Sequence, residues 1–590
     1  MGDSGASLFE AIQLNNPENK TSKTKGILMI KDILISINEL SKRAGISQHK
    51  AFTAWYAINF HDLDEDEALS SAAMDGGNDN GIDLVFGDDL TKTIYVLQGH
   101  CGDNHSKQTP KGKWSDLLAA IPFYEDTKGL KDGGRVELAE QIELIKCKYP
   151  DYKIAFGLVS LGMKNSSIVS AVSHTATSTT FSKFQLYYSA QEDVLGQYKG
   201  LIESESGIAE DTLTFTGDHI EDTGQYGRAW IGNVSASELI RLNKTYPNQL
   251  FAGNVRLFLG NRKGGINEQI IKTAKNTPGL FWALNNGVSI IADTATPLAG
   301  KKNTLTLKRF SIVNGCQTTS SLTEANADDS CKVLLRVIAA KDTVKNDVVR
   351  FNNSQNAIKI WTVRAVDGVQ ERLRRDFDKL GVNYAPKQAG SRRKRDVSKI
   401  VELDRLAQYL AAQQSNYLIQ AIDNKAELFD KPYSELFYPQ ISSASILLAW
   451  LLGNICEEKR IEQLEDLEEN SPATGLLSVT STFWIVFVAY KILKKYSDLN
   501  STHITVERIN TLAFRTALAK QVDFAVEFYY LQAVDTYGNG SEFRTYKSAL
   551  RSAKFLQLLE PKIDFKITQL GKLKTGKPSS LENVAKNIKA

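Results

Sequence analysis

A chain of 590 residues has room for about three to four domains, and 42% hydrophobic with 24% charged residues is the composition of a soluble globular protein. A net charge of only +3 excludes a chain-wide polycation, so any nucleic-acid-binding surface must be local. The five cysteines (Cys101, Cys147, Cys316, Cys331, Cys456) are scattered and form no Cys-x-x-Cys pair, which argues against a disulfide framework or structural zinc. A reducing, cytoplasmic setting follows. No N-terminal apolar core suggests a signal peptide, and the runs Ile446 to Leu452 and Phe483 to Tyr490 fall short of the roughly 20 residues of a membrane span.

In chain order, residues 1–25 are polar and Gly/Ser/Lys-rich, the composition of a disordered start. Apolar spacing predicts a helix over Ile30 to Ala44, and the aromatics of Ala51 to Leu63 predict a second segment packed on a sheet. The acidic run Asp62 to Glu67 opens a short helix into the turn Asp75 to Asp83. Strand signals follow at Leu84 to Phe86, Thr91 to Leu97, Tyr152 to Val159 and Phe184 to Tyr188, with helices at Trp114 to Tyr124 and Val136 to Lys148. Alternation of this kind defines an α/β domain over 26–200. Residues 201–248 read as a connecting region. Residues 249–360 read as a central α+β domain of short strands and Asn/Gly turns. Residues 361–590 read as a helical C-terminal region, clearest at Leu403 to Ile422, Ser443 to Cys456, Thr480 to Tyr496 and Gln521 to Val534. Within 541–590, 11 Lys/Arg stand against 4 Asp/Glu, so that end is locally basic.

The first group of chemistry-bearing residues lies on the N-terminal strands. Asp83 sits where the glycine-rich turn becomes a strand, and Gln98 lies near the end of the next strand. A hairpin brings them to one edge, where a carboxylate and an amide carbonyl suit a hard cation such as Mg²⁺ or Mn²⁺. Metal-dependent phosphodiester cleavage also needs a water-activating group, and a lysine two residues past the second ligand usually supplies positive charge there. His100 occupies that position; it can act as a base near neutral pH but is shorter and often uncharged. Glu67 is the leading helix-borne acid to complete the set, with Glu65 behind it and Asp79 as a brace for the turn. The same pattern also fits a structural turn with a strand-end glutamine.

The second group is a set of Asn/Gln-rich blocks over 250–360. They are Asn254-Val255-Arg256, Phe281-Trp282-Ala283-Leu284-Asn285-Asn286-Gly287, Ile312-Val313-Asn314-Gly315-Cys316-Gln317-Thr318 and Arg350-Phe351-Asn352-Asn353-Ser354-Gln355-Asn356. Each reads as a hydrophobic strand ending in amides. Convergent strand-end amides suit a base, nucleotide or phosphodiester, with Arg256 as the natural phosphate partner. Hairpin turns that brace one another would look alike. A third feature is basic: Arg372, Arg374, Arg375 and the run Arg392-Arg393-Lys394-Arg395, where Arg393 and Arg395 would contact phosphates and Tyr384 could stack on a base. A solvated charge run is the competing reading.

The blocks Asn254-Val255-Arg256 with Leu259-Gly260, Phe281-Trp282 with Asn285-Asn286-Gly287, Ile312 to Thr318, and Asn353-Ser354-Gln355-Asn356 resemble the AIPR family, named for abortive infection phage resistance. The resemblance covers about residues 30 to 450. It implies an N-terminal restriction-endonuclease-like α/β core, since family members often carry a Gly-Gly-x-Asp-x-Gly-Ile-Asp turn and a Gln-x-Lys strand end. This chain keeps Gly76 to Asp83 and Gln98 and departs at His100. Asn314-Gly315-Cys316-Gln317 and Asn352-Asn353-Ser354-Gln355 are also similar to signature pairs of ParB-like domains, without their acid and arginine. The resemblance implies a bacterial antiphage effector that cleaves DNA, with RNA as a further substrate class. Its metal site would be Asp83, Gln98 and Glu67, with His100 at the catalytic position. The central residues Arg256, Asn285, Asn286, Asn314, Gln317, Asn353 and Gln355 would bind nucleic acid, a nucleotide or a phage-derived trigger. The helical region would serve homodimerisation or partner binding. A silent core in a binding or signal-sensing protein is the alternative that His100 leaves open.

Overall fold

Side-chain periodicity places most of the elements where the structure has them. The computed structural model describes residues 17–72, 81–89, 91–176, 178–204, 207–247, 249–251, 266–340, 368–385, 400–467, 472–496, 504–539 and 543–570. Two compact units are present. The first comprises Met1–Val194, Lys359–Lys387 and Lys394–Ala590; the second comprises Leu195–Ile358 with Gln388–Arg393.

The first unit begins with α1 (Pro17–Ala44), α2 (Gln48–Phe60) and α3 (Glu65–Ala72). Helix α1 starts earlier than composition suggested, with Pro17 at its first position, where a missing N–H costs nothing. A hairpin of β1 (Leu84–Asp88) and β2 (Thr93–His100) follows, then α4 (Gly112–Glu125), α5 (Val136–Lys148), β3 (Lys153–Ser160), α6 (Ser166–Ala176) and β4 (Phe184–Ser189). The sheet order is β1-β2-β3-β4; β1 is antiparallel to β2, and β3 and β4 are parallel additions. Parallel neighbours require a crossover, which α4 and α5 provide between β2 and β3.

Alternation along the hairpin sorts the two faces. Val85, Ile94 and Val96 pack with Trp114, Leu117, Ile121, Leu138 and Ile142 of α4 and α5. Phe86 and Tyr95 point the other way, stacked at 5.3 Å with the His61 ring against both. Gln98 and His100 share the parity of Val96, and Asp83 that of Val85, so all three belong to the α4 side.

The second unit holds β5 (Ile208–Thr214), β6 (Ile220–Gly224), β7 (Gly227–Ser235), α7 (Ala236–Thr245), α8 (Ile266–Asn276), the one-turn α9 (Phe281–Leu284), β8 (Val288–Pro297), β9 (Thr304–Asn314), α10 (Cys316–Ala325) and β10 (Lys332–Ala340). These strands form one six-stranded sheet in the order β5-β9-β8-β10-β7-β6. Segment 201–248 is therefore no connector: it contributes three of the six strands, including β7, which pairs along its whole length with β10. Leu213, Trp230, Val234, Ile290, Ile312, Leu335 and Val337 form the core on one face, closed by Leu239, Leu242 and Leu322 of the helices.

The rest of the first unit is helical. Its elements are α11 (Gly368–Lys379), a short parallel pair β11 (Asn383–Ala385) and β12 (Ile400–Glu402), α12 (Leu403–Ala412), α13 (Leu418–Asp423), α14 (Ser443–Glu465), α15 (Ser481–Tyr496), α16 (Leu512–Asn539), α17 (Tyr546–Leu550) and α18 (Ala553–Leu570). The expected continuous helix over Leu403 to Ile422 is two helices, with turns over 413–417 between them. No helix among the described residues is long and apolar enough to cross a membrane.

Ion pairs tie this helical region to α1 and α3. Arg43 meets Glu65, Asp66 at 2.8 Å and Glu457 at 2.6 Å. Arg405 grips Asp66 through two nitrogens at 2.5 and 2.8 Å. Lys425 joins Asp64 at 2.5 Å and Asp404 at 3.0 Å. The fully buried Arg460 donates to the carbonyls of Arg43 and Leu477 and pairs with Glu457.

Candidate metal and ligand sites

Antiparallel pairing sets Leu84 opposite Leu97, which brings Asp83 across from Gln98 at the β1 entry. The Asp83 N–H donates to the Leu97 carbonyl at 2.8 Å, and its Oδ2 accepts from the Gly99 N–H at 2.7 Å. Both side chains are buried, Asp83 at 5% exposure and Gln98 at 1%. Neither Gln98 amide atom has a hydrogen-bond partner among the described residues. Leaving a buried amide unsatisfied costs about 1–3 kcal/mol, which a ligand at Oε1 would relieve. A carboxylate and an orphaned carbonyl oxygen on one face fit a hard cation. Among the described residues, no group of three or more His, Cys, Asp or Glu side chains is arranged to hold a metal.

The strand end is richer in histidine than spacing alone indicated. His100 lies 5.6 Å, ring to ring, from His49 of α2, and His49 Nδ1 accepts from the Cys101 N–H at 3.0 Å. Burial, then the charges of His49, Lys113 and His105, lowers His100 to about 4, so its ring is neutral at pH 7. Lys113 stands in the first turn of α4, near enough for its charge to act on His100. No spacing rule in the sequence links Lys113 to β2.

Close approach of α2 to β2 makes Gly99 obligatory. A Cβ there would lie 2.1 Å from Thr53 Oγ1 and 2.9 Å from the His49 carbonyl. Gly99→Ala is expected to lose about 1–3 kcal/mol of stability by overpacking, measurable by urea denaturation. Adding Thr53→Ala should recover part of the loss.

The α3 acids divide. Asp64 Oδ1 accepts from the Asp66 and Glu67 N–H groups as the helix cap, while Glu65 and Asp66 are engaged by arginines. Glu67 reaches solvent at its surface but is closely surrounded by neighbouring protein. Its carboxyl is raised by desolvation and by Asp64, against Lys148, Arg551 and Lys547. The charges acting most strongly on it thus come from Asp64 and the ends of α5 and α17. Asp79 lies outside the described residues.

In the second unit, two of the amide blocks converge. Gly287 (φ +77°) and Gly315 (φ +93°) both use the left-handed region, and a Cβ on Gly315 would meet Val288 Cγ2 at 2.7 Å and the Gly287 carbonyl at 2.9 Å. That contact sets exposed Asn286 and half-buried Asn314 at one end of the sheet, with exposed Gln317 in the first turn of α10. Asn285 turns inward, its Nδ2 donating to the Phe281 carbonyl at 3.0 Å. The block expected as a strand over Phe281 to Leu284 is the α9 turn; a four-residue apolar run carries no period to tell the two apart. Arg256, Asn353, Gln355, Arg393 and Arg395 lie outside the described residues.

The remaining basic cluster is structural. Arg372 donates to the carbonyls of Pro439 and Ile441 at 3.1 and 2.7 Å, and Arg374 pairs with Glu371 at 2.7 Å. Arg375 also faces Glu371, at 3.8 Å. Tyr384 is 3% exposed, stacked on Phe377 at 5.2 Å with its hydroxyl donating to Gln370, so it has no face for a base.

The chain is thus a two-unit α/β protein with a helical region, a strand-end carboxamide–carboxylate pair in one unit and clustered amides in the other. Residues 251–540 match the family model described as AIPR protein, a stretch that takes in most of the second unit and most of the helical region. No curated protein and no solved structure matches the chain.

Proposed function

We propose that this protein is a cytoplasmic antiphage, abortive-infection effector whose N-terminal sheet is a Mg²⁺-dependent DNA nuclease. The AIPR match supports the defence role. The observation that carries the nuclease reading is the buried, unpartnered Gln98 amide beside Asp83, whose carboxylate the Gly99 N–H orients. Asp83 and Gln98 Oε1 would hold Mg²⁺ or Mn²⁺, with Glu67 as the further acid; the bound cation supplies Lewis-acid stabilisation for phosphodiester hydrolysis. Neutral His100 accepts a proton from the attacking water. Lys113 supplies the positive charge that a strand-end lysine would otherwise bring. One such site cuts one strand, so a homodimer would cut both. The second unit senses a nucleotide, nucleic acid or phage-derived trigger.

A plasmid-nicking assay with Mg²⁺, Mn²⁺ or EDTA tests the reading; metal-dependent conversion of supercoiled to nicked plasmid is the expected result. The neutral His100 at the lysine position favours a second reading, a silent core in a nucleic-acid-binding defence protein. In that case no metal yields cleavage while binding persists.

A further inference from the structure

Trp282 is the most unusual exposed side chain of the second unit. Phe281 beside it is fully buried and anchors α9, which leaves the Trp282 indole 49% exposed. The ring is nevertheless fixed, because its Nε1–H donates to Asn233 Oδ1 at 2.8 Å. A large aromatic face held in one orientation at the surface has already met much of the ordering cost that stacking a ligand would incur.

The sheet places charge next to that ring. Asn233 and Ile231 share one face of β7, and their partners on β10 are Leu334 and Arg336. Arg336 therefore lies one strand across and two residues along from Asn233, roughly 8 Å away by strand geometry. Its guanidinium is exposed, and one nitrogen donates to Ser289 Oγ at 3.1 Å, which orients the fork along the face. Asn286, exposed, precedes the Gly287 turn at the same end of the sheet, where Val288 pairs with Leu335. A stacking plane, a guanidinium and a carboxamide thus lie within the span of one nucleotide unit.

We propose that Trp282, Asn286 and Arg336 form a nucleotide-binding site: the base stacks on the indole, the Asn286 amide reads the base or sugar, and Arg336 takes the phosphate. The inference deepens the sensing role proposed above for the second unit and rests on it. The ligand presents an unpaired base with a phosphate, either as a free nucleotide or as one unit of a single strand. A duplex keeps its bases stacked and offers the ring nothing.

The test is binding of a fluorescein-labelled single-stranded oligodeoxynucleotide to the full-length Asp83→Ala chain in EDTA, followed by anisotropy, with AMP and ATP as competitors and a duplex as control. Trp282→Ala is expected to weaken binding about 5- to 100-fold, with Trp282→Phe intermediate. Arg336→Ala should weaken binding and flatten its salt dependence. Leu284→Ala, a neighbouring exposed apolar residue, should leave it unchanged. Competition by AMP identifies a free-nucleotide pocket, and its absence a single-strand site; either supports the proposal. Wild-type affinity in Trp282→Ala, or an equal loss in Leu284→Ala, overturns it while leaving a sensing role elsewhere in the unit. A parent chain that binds neither strand nor nucleotide overturns both.

Discussion

Asp83→Ala is expected to eliminate metal-dependent nicking, a loss of about 10³-fold or more. Several kcal/mol of transition-state stabilisation go with the cation when its carboxylate is removed. The structural cost is read separately by thermal unfolding, because the buried Gly99 N–H loses the Asp83 carboxylate as its acceptor. Lys113→Ala is expected to lower the rate about 10²-fold, and Lys113→Ala with His100→Lys to restore most of it, since the Lys113 charge acts on position 100. Three results separate the readings. Nicking that survives Asp83→Ala moves the active site elsewhere. A parent chain that is inactive but gains cleavage through His100→Lys establishes a silent core with intact metal ligands. Inactivity of both, in every metal, ends the nuclease reading for this chain.

What could be read in advance follows from how far apart interacting residues lie in the chain. Asp83 and Gln98 were legible because a hairpin converts a fifteen-residue separation into direct opposition, and a glycine-rich stretch of sequence marks where the first strand begins. A helix such as α5 was legible because its buried apolar residues Leu138, Ile142 and Ile145 recur every three or four positions. Strand β6 was not: it is an exposed edge whose Ile220-Glu221-Asp222-Thr223-Gly224 alternates nothing, so its region passed for a connector. Lys113 and His49 reach the strand end from separate helices, and no local pattern announces that meeting. Arg336 was equally hidden, since a lone arginine inside a β-strand becomes meaningful only once the register sets it beside Asn233 and Ser289. The pairing of Asp66 with Arg405 spans 339 residues and that of Arg43 with Glu457 spans 414.

That long-range network gives the second large expectation: Asp66→Ala should destabilise the first unit by about 3–5 kcal/mol, because it strands Arg43 and Arg405 as buried, under-compensated cations. Glu65→Ala is the control. Its side chain is 42% exposed, and its pairing with Arg43 should be worth less than about 1 kcal/mol. Acid should act through the same residues. Burial raises the Asp66 carboxyl, but Arg405 and Arg43 outweigh it and hold it well below the usual carboxylate range; Arg460 and Arg43 do the same for Glu457. Both folded-state values lie below the unfolded ones, so the unfolded chain binds more protons at low pH. The contribution is complete above about pH 5 and is lost progressively as pH falls through and below the unfolded carboxylate values near 4. Urea unfolding of the parent chain and Asp66→Ala between pH 3 and 7 should therefore converge toward the acid end. Equal losses for Asp66→Ala and Glu65→Ala at neutral pH would mean that the buried pairs add nothing beyond surface ones. A loss confined to Asp66→Ala assigns the helical region a first task inside its own unit: it clamps α3, the helix that carries Glu67.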